Sequence, residues 1–101
     1  MIIHLENENY DEIVNNGLVV VDFFATWCGP CKMLSPVLED VARDMNIKIV
    51  KVDIDDHLDI AKRFGIMSVP TLLVYKDGNV VDKLVGFMPK ELIENKLSNY
   101  R

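Results

Sequence analysis

The two cysteines of this chain are separated by only two residues, in the run Trp27-Cys28-Gly29-Pro30-Cys31-Lys32. They follow an apolar, strand-like stretch, Leu18-Val19-Val20-Val21-Asp22-Phe23-Phe24, and precede a stretch with apolar residues at Leu34, Leu38, Val41, Ala42 and Met45. The first pattern suits a buried strand and the second a helix with one apolar face. A Cys-x-x-Cys pair at such a strand-to-helix turn reads as a redox dithiol. A helix that starts between the two cysteines turns both sulfurs to one side, close enough to bond. The ring they close is small, so it opens and forms readily. The first sulfur sits at the positive end of the helix dipole, which favours thiolate over thiol.

The rest of the composition narrows the setting. A chain of 101 residues, half of them hydrophobic, has material for one core and is expected to form one domain over 1–101. A formal net charge of −5, with acidic residues spread along the chain, argues against a nucleic-acid binder and against docking on anionic lipid. The start, Met1-Ile2-Ile3-His4-Leu5-Glu6, has no basic region followed by a long apolar one, so no signal peptide is expected there. No stretch approaches the roughly 20 apolar residues of a membrane helix. A cytoplasmic location is the expectation, and there a cysteine pair serves chemistry more often than stapling.

The element pattern runs β-α-β-α-β-α-β-β-α. Ile2–Leu5 suggests a short edge strand. Tyr10, Ile13 and Val14 suggest a short helix ending at Gly17. Leu18–Phe24 reads as a central strand covered on both faces. Met33–Met45 reads as the second helix, which Pro36 should kink. Ile47–Asp53 is a further buried strand, parallel to Leu18–Phe24 if a helix crosses between them. Asp55 or Asp56 is expected to cap a helix carrying Leu58, Ile60, Ala61 and Phe64 and stopping at Gly65. Thr71–Tyr75 and Val80–Val85 flank Lys76-Asp77-Gly78-Asn79, a hairpin signal. Pro89 falls in the first turn of a last helix with Leu92, Ile93 and Leu97 on one face; Met88 before it is a poor cap. The architecture implied is a mixed sheet with helices on both sides.

Zinc would need four ligands, and the only further soft candidates, His4 and His57, lie far apart in differently placed elements. No metal is expected. Gly29 and Pro30 could be turn filler; between these cysteines they leave the first thiol uncovered, and Pro30 lacks an N–H that a helix start leaves unpaired anyway. Asp22 is the odd residue of its strand. Either it meets water at the strand end, or it is a buried carboxylate behind Cys31. Burial would raise its pKa and let it take the proton of Cys31. Lys51, mid-strand next door, is its natural partner.

The hexapeptide, with Val21-Asp22-Phe23, Pro36, Lys51-Val52-Asp53, Gly65-Ile66, Val69-Pro70-Thr71, Gly78 and Gly86, resembles the thioredoxin family over essentially the whole chain. The resemblance implies a thioredoxin-like three-layer α/β/α sandwich with a central mixed sheet. It implies dithiol–disulfide exchange on other proteins, with no cofactor beyond the redox-active disulfide Cys28–Cys31. Cys28 would be the exposed attacking thiol and Cys31, more buried, the resolving one. The family also supports the roles of Asp22 and Lys51.

The resemblance further implies a cis bond before Pro70, opposite the cysteines, where the carbonyl and N–H of Val69 would pair with an extended substrate strand. Trp27, Met67, Val69, Pro70, Gly86 and Phe87 are the candidate substrate rim, although Phe87 and Met67 could simply pack. Two positions depart from the family pattern: Phe24, where many members carry a second Trp, and Phe87, where a small residue is usual. The expected partners are thioredoxin reductase, linked to NADPH or to ferredoxin, and disulfide-containing proteins, with the chain itself a monomer. Two other functions compete. A thiol oxidase or isomerase usually has His in the Cys-x-x-Cys gap, which Gly29-Pro30 lacks. A non-catalytic binding subunit would use the same apolar rim.

Overall fold

The computed structural model describes residues 1–101, and all five strands join one sheet. In chain order the elements are β1 (Ile2–His4), α1 (Tyr10–Ile13), β2 (Leu18–Phe24), α2 (Gly29–Met45), β3 (Lys48–Asp53), α3 (Leu58–Arg63), β4 (Thr71–Lys76), β5 (Asn79–Val85) and α4 (Lys90–Ser98). The strand order is β1-β3-β2-β4-β5. β3 is parallel to both β1 and β2, whereas β4 is antiparallel to β2 and to β5. This is the mixed sheet that the element pattern implied.

Alternation along the strands sorts the apolar residues into two cores. Val20, Ile49, Leu72, Val74 and Leu84 face α2 and α4, packing with Leu34, Leu38, Val41, Ile93 and Leu97. Val19, Val21, Phe23, Val50, Val52, Leu73 and Tyr75 face the other side, with Tyr10 of α1 and with Ile60 and Phe64 around α3. Helices therefore cover both faces, and β2 in the middle contributes to both cores. This is the three-layer α/β/α arrangement.

Several boundaries differ from the sequence reading. α1 ends at Ile13, not Gly17. Gly17, at φ 69°, instead opens β2 and is pinned to the hairpin, its N–H donating to Asp77 Oδ1 at 3.0 Å and its carbonyl accepting from Asp77 N at 3.0 Å. Asp77 and Gly78 both have positive φ, as a two-residue hairpin of the expected type requires. α2 begins at Gly29, four residues before the expected Met33, and runs unbroken through Pro36. α3 is capped by His57 without a side-chain bond, not by Asp55 or Asp56. Pro89 is itself the cap residue of α4, its carbonyl accepting from Leu92 N and Ile93 N. Met88 is therefore no cap and packs on the α2/α4 core, and Leu92 is exposed while Ile93 and Leu97 are buried.

Candidate active site

The site forms where β2 runs out and α2 begins. β2 emerges at the centre of the sheet, and Ala25, Thr26 and Trp27 carry the chain over its end. Cys28 is the cap residue of α2, with extended φ and ψ, and its Sγ accepts the Cys31 backbone N–H at 3.2 Å. A helix start leaves its first N–H groups unpaired, and here the sulfur answers one of them. The same contact favours negative charge on Sγ when the disulfide is open. Pro30 falls in the first turn, where its missing N–H costs nothing. Cys28 and Cys31 are joined as a disulfide, Cα to Cα 5.3 Å.

The cystine is less open than expected. Cys28 keeps 5% of its surface and Cys31 keeps 3%, so burial hardly separates the two. Their surroundings do. Cys28 Sγ lies 3.7 Å from the carbonyl oxygen of Val69. With the disulfide closed this sulfur carries no proton, so the contact is a van der Waals approach; an open thiol could donate there. The Val69–Pro70 bond is cis. Cys31 instead faces a cavity of about 400 Å³ lined by Phe24, Ala25, Thr26, Lys32, Ser35 and Lys51.

Asp22 is placed by alternation. On β2 the residues facing α2 are Val20, Asp22 and Phe24. Val20 lies in the core, and Phe24 packs beside the cystine. Asp22 sits between them, pairing in register with Lys51 of β3 and Leu72 of β4. It is 1% exposed, which removes the strand-end reading, and neither carboxylate oxygen has a hydrogen-bond partner. Burial is the main influence on this carboxyl and pushes its pKa up to about 6, with the Lys51 charge pulling the other way.

Lys51 Nζ stands 3.8 Å from Asp22 Oδ2. Its short bond goes elsewhere, to Ser35 Oγ at 2.8 Å, and the Phe24 ring lies 4.9 Å away. Sequence reasoning missed Ser35. The signal was available, because Ser35 follows Cys31 by four residues and so shares its helix face.

The expected rim is brought together only in part. Trp27, Met67 and Val69 line one shallow depression with Ile54, Ile66 and Ser68. Trp27 is 69% exposed and Met67 95% exposed, so Met67 does not simply pack. Pro70 is buried, and its carbonyl accepts Gly86 N at 2.9 Å, which fastens the Gly86 turn beside the cis bond. Phe87 is half-exposed and outside the depression. Asp55, expected as a helix cap, instead accepts the Trp27 indole Nε1–H at 3.0 Å. His4 is exposed, and His57 Nε2 meets Leu5 O at 3.0 Å.

A cystine that caps a helix at the end of a central strand, facing a cis-proline loop, defines a thiol–disulfide exchange site. The comparisons agree. A family model described as Thioredoxin matches residues 1–99. A thioredoxin of Staphylococcus haemolyticus is 48% identical over 101 residues, covering 98% of this chain and 97% of that protein. A thioredoxin of Staphylococcus saprophyticus is 51% identical over 92 residues, covering 89% and 88%. Among solved structures, a mutant thioredoxin from Halobacterium salinarum matches with a TM-score of 0.91 at 32% identity, covering 98% of this chain and 89% of that one. The chain belongs to the thioredoxin family. It is a thiol–disulfide oxidoreductase of the protein-disulfide reductase type.

Proposed function

We propose that the two sulfurs divide the reaction between them. In the dithiol form the Cys28 thiolate attacks a substrate disulfide, forming a mixed disulfide and expelling one substrate thiolate. Asp22 takes the proton of Cys31. The Cys31 thiolate then attacks Cys28 Sγ, the mixed disulfide breaks, and the second substrate thiolate leaves. Two electrons have passed from the dithiol to the substrate, and no further cofactor takes part. Lys51 supplies the positive charge that balances Asp22 once it ionises.

The observation that carries this reading is the asymmetry of surroundings. Cys28 Sγ borders Val69 O at 3.7 Å, whereas Cys31 lines the cavity that holds Lys51 and Ser35. The Val69 carbonyl and N–H would pair with an extended substrate segment laid across the cis bond. Trp27, Met67 and Val69 would give it an apolar shelf, with Pro70 and Gly86 as the floor and Phe87 as an outer contact. The substrates are disulfide-bearing proteins, and the electrons return from thioredoxin reductase. The protein acts as a cytoplasmic monomer, without binding nucleic acid or membranes.

The test is a trapping pair. Cys31→Ser should accumulate mixed disulfides with lysate proteins on non-reducing gels, and Cys28→Ser should accumulate none. Identical bands from both variants would refute the division of roles. Insulin reduction with candidate reductases added in turn identifies the electron donor.

A further inference from the structure

We infer that Ser35 is a positioning residue for the Asp22 carboxylate, acting through Lys51. By accepting the Lys51 ammonium at 2.8 Å, it holds that charge 3.8 Å from Asp22 Oδ2, outside hydrogen-bonding reach. This deepens, and rests on, the reading of Asp22 as proton acceptor for Cys31.

The geometry is unusual for a buried ion pair. Lys51 is the only cation paired with Asp22, and both side chains are buried. An ammonium and a carboxylate so placed ordinarily close to a direct bond, because each leaves buried charge unanswered otherwise. Here both Asp22 oxygens remain without a partner. The groups around Asp22 explain where the ammonium has gone. On β4 its neighbour in register is the apolar Leu72. On β3 it is Lys51. From α2, the helix packed above, Leu34 and Leu38 are apolar, Cys31 lies in the disulfide, and Lys32, exposed to water, lines the cavity beside Ser35 and Lys51 but is not paired with Asp22. Ser35 is the one hydroxyl bonded to Lys51, and the Phe24 ring lies on the ammonium as well. The two contacts draw Nζ away from Asp22.

The consequence concerns proton affinity. A bare buried carboxylate holds a proton more tightly than one bonded to an ammonium. Holding Lys51 back therefore keeps Asp22 a stronger base than a closed pair would be. The restraint is built on the face that carries Cys31, one helical turn away, so it belongs to the resolving side and not to the substrate groove.

The test is Ser35→Ala. Ala is the best helix former, so α2 should be intact. Without the hydroxyl, Lys51 should close on Asp22. In the oxidised protein, the Asp22 side-chain carbon followed by NMR should then titrate with its midpoint lowered by about one pH unit, within the range an adjacent cation produces. Ser35→Thr retains the hydroxyl and should keep the wild-type midpoint. An unchanged midpoint in Ser35→Ala, or the same shift in Ser35→Thr, would overturn the proposal. Stopped-flow resolution of a mixed disulfide separates this from the reading beneath it. If the midpoint moves and the pH profile of resolution moves with it, both stand. If the midpoint alone moves, Ser35 positions Lys51 as proposed and Asp22 is not the base.

Discussion

Trp27 and Asp55 are 28 residues apart, yet the indole Nε1–H donates to Asp55 Oδ2 at 3.0 Å and fixes the ring at the edge of the cystine. The bond ties the loop after β2 to the loop after β3, and both loops open at the same end of the sheet.

Trp27 is the only tryptophan, so its emission reports on this edge alone. A disulfide beside an indole quenches it, and reduction should raise the emission. Asp55→Ala should lower the anisotropy of Trp27 by freeing the ring. The stability cost should stay within about 1 kcal/mol, because the bond is exposed to water. The KM for a disulfide protein should rise, since the shelf loses a fixed wall. Unchanged anisotropy would show that packing alone holds the indole.

Cys28 should react with iodoacetamide well ahead of Cys31 near neutral pH once the disulfide is reduced. The reason is its cap position, where the Cys31 N–H meets Sγ at 3.2 Å. A short pulse followed by mass spectrometry distinguishes the sites. Equal labelling would contradict the assigned roles, because total burial differs little between them.

Asp22→Asn should stabilise the fold at neutral pH and slow resolution more than attack. The Asp22 carboxyl titrates at about 6 in the folded protein against an ordinary 3.8, so the native state binds the extra proton between those values. Stability therefore falls as pH rises from about 3.8 to about 6 and stays lowered above that. The loss corresponds to roughly 3 kcal/mol at pH 7. Asn removes the titration, so urea melts of the variant should lose this slope and gain up to about that amount at pH 7. A variant less stable than wild type at pH 7 that also resolves mixed disulfides at the wild-type rate would make Asp22 a structural acid.

The buried hydroxyls of Tyr10 and Tyr75 meet at 2.9 Å, 65 residues apart, and dock α1 on β4. Tyr10→Phe should cost about 1–3 kcal/mol, because it strands the Tyr75 hydroxyl in the core. Replacing both with Phe should cost less than the two single changes together. Strict additivity in denaturant melts would mean that the hydroxyls find water instead.

The legible parts of the molecule were those fixed by neighbours in the chain. Leu18–Phe24 matches its strand residue for residue, and the Asp77-Gly78 hairpin follows from φ values that few residues accept. The Asp22 anomaly was visible because a single acid breaks an apolar run. What stayed hidden depends on partners distant in sequence. Asp55 looks like a helix cap until the indole claims it, and Asp53 Oδ1 is taken by the Asp55 N–H. The helix α3 starts at His57, one residue beyond Asp56, without a side-chain cap. Lys51 looked like a partner for Asp22 alone, and only the folded helix brings Ser35 within its reach. Gly17 resembled a helix stop because its true constraint, the bond to Asp77, lies 60 residues away.

The alternation of β2 between two cores has a consequence for how such a chain can change over generations. Successive side chains of Leu18–Phe24 belong to opposite layers, so inserting or deleting one residue would exchange the layers. Asp22 would be driven among Val50, Val52 and Leu73 on the far side, and Val21 or Phe23 would stand where the acid now is. Individual residues of this strand can be swapped for others of like size, and the turns at its ends can grow. Its length is the inherited quantity, because the count of residues decides which side of the sheet receives the acid.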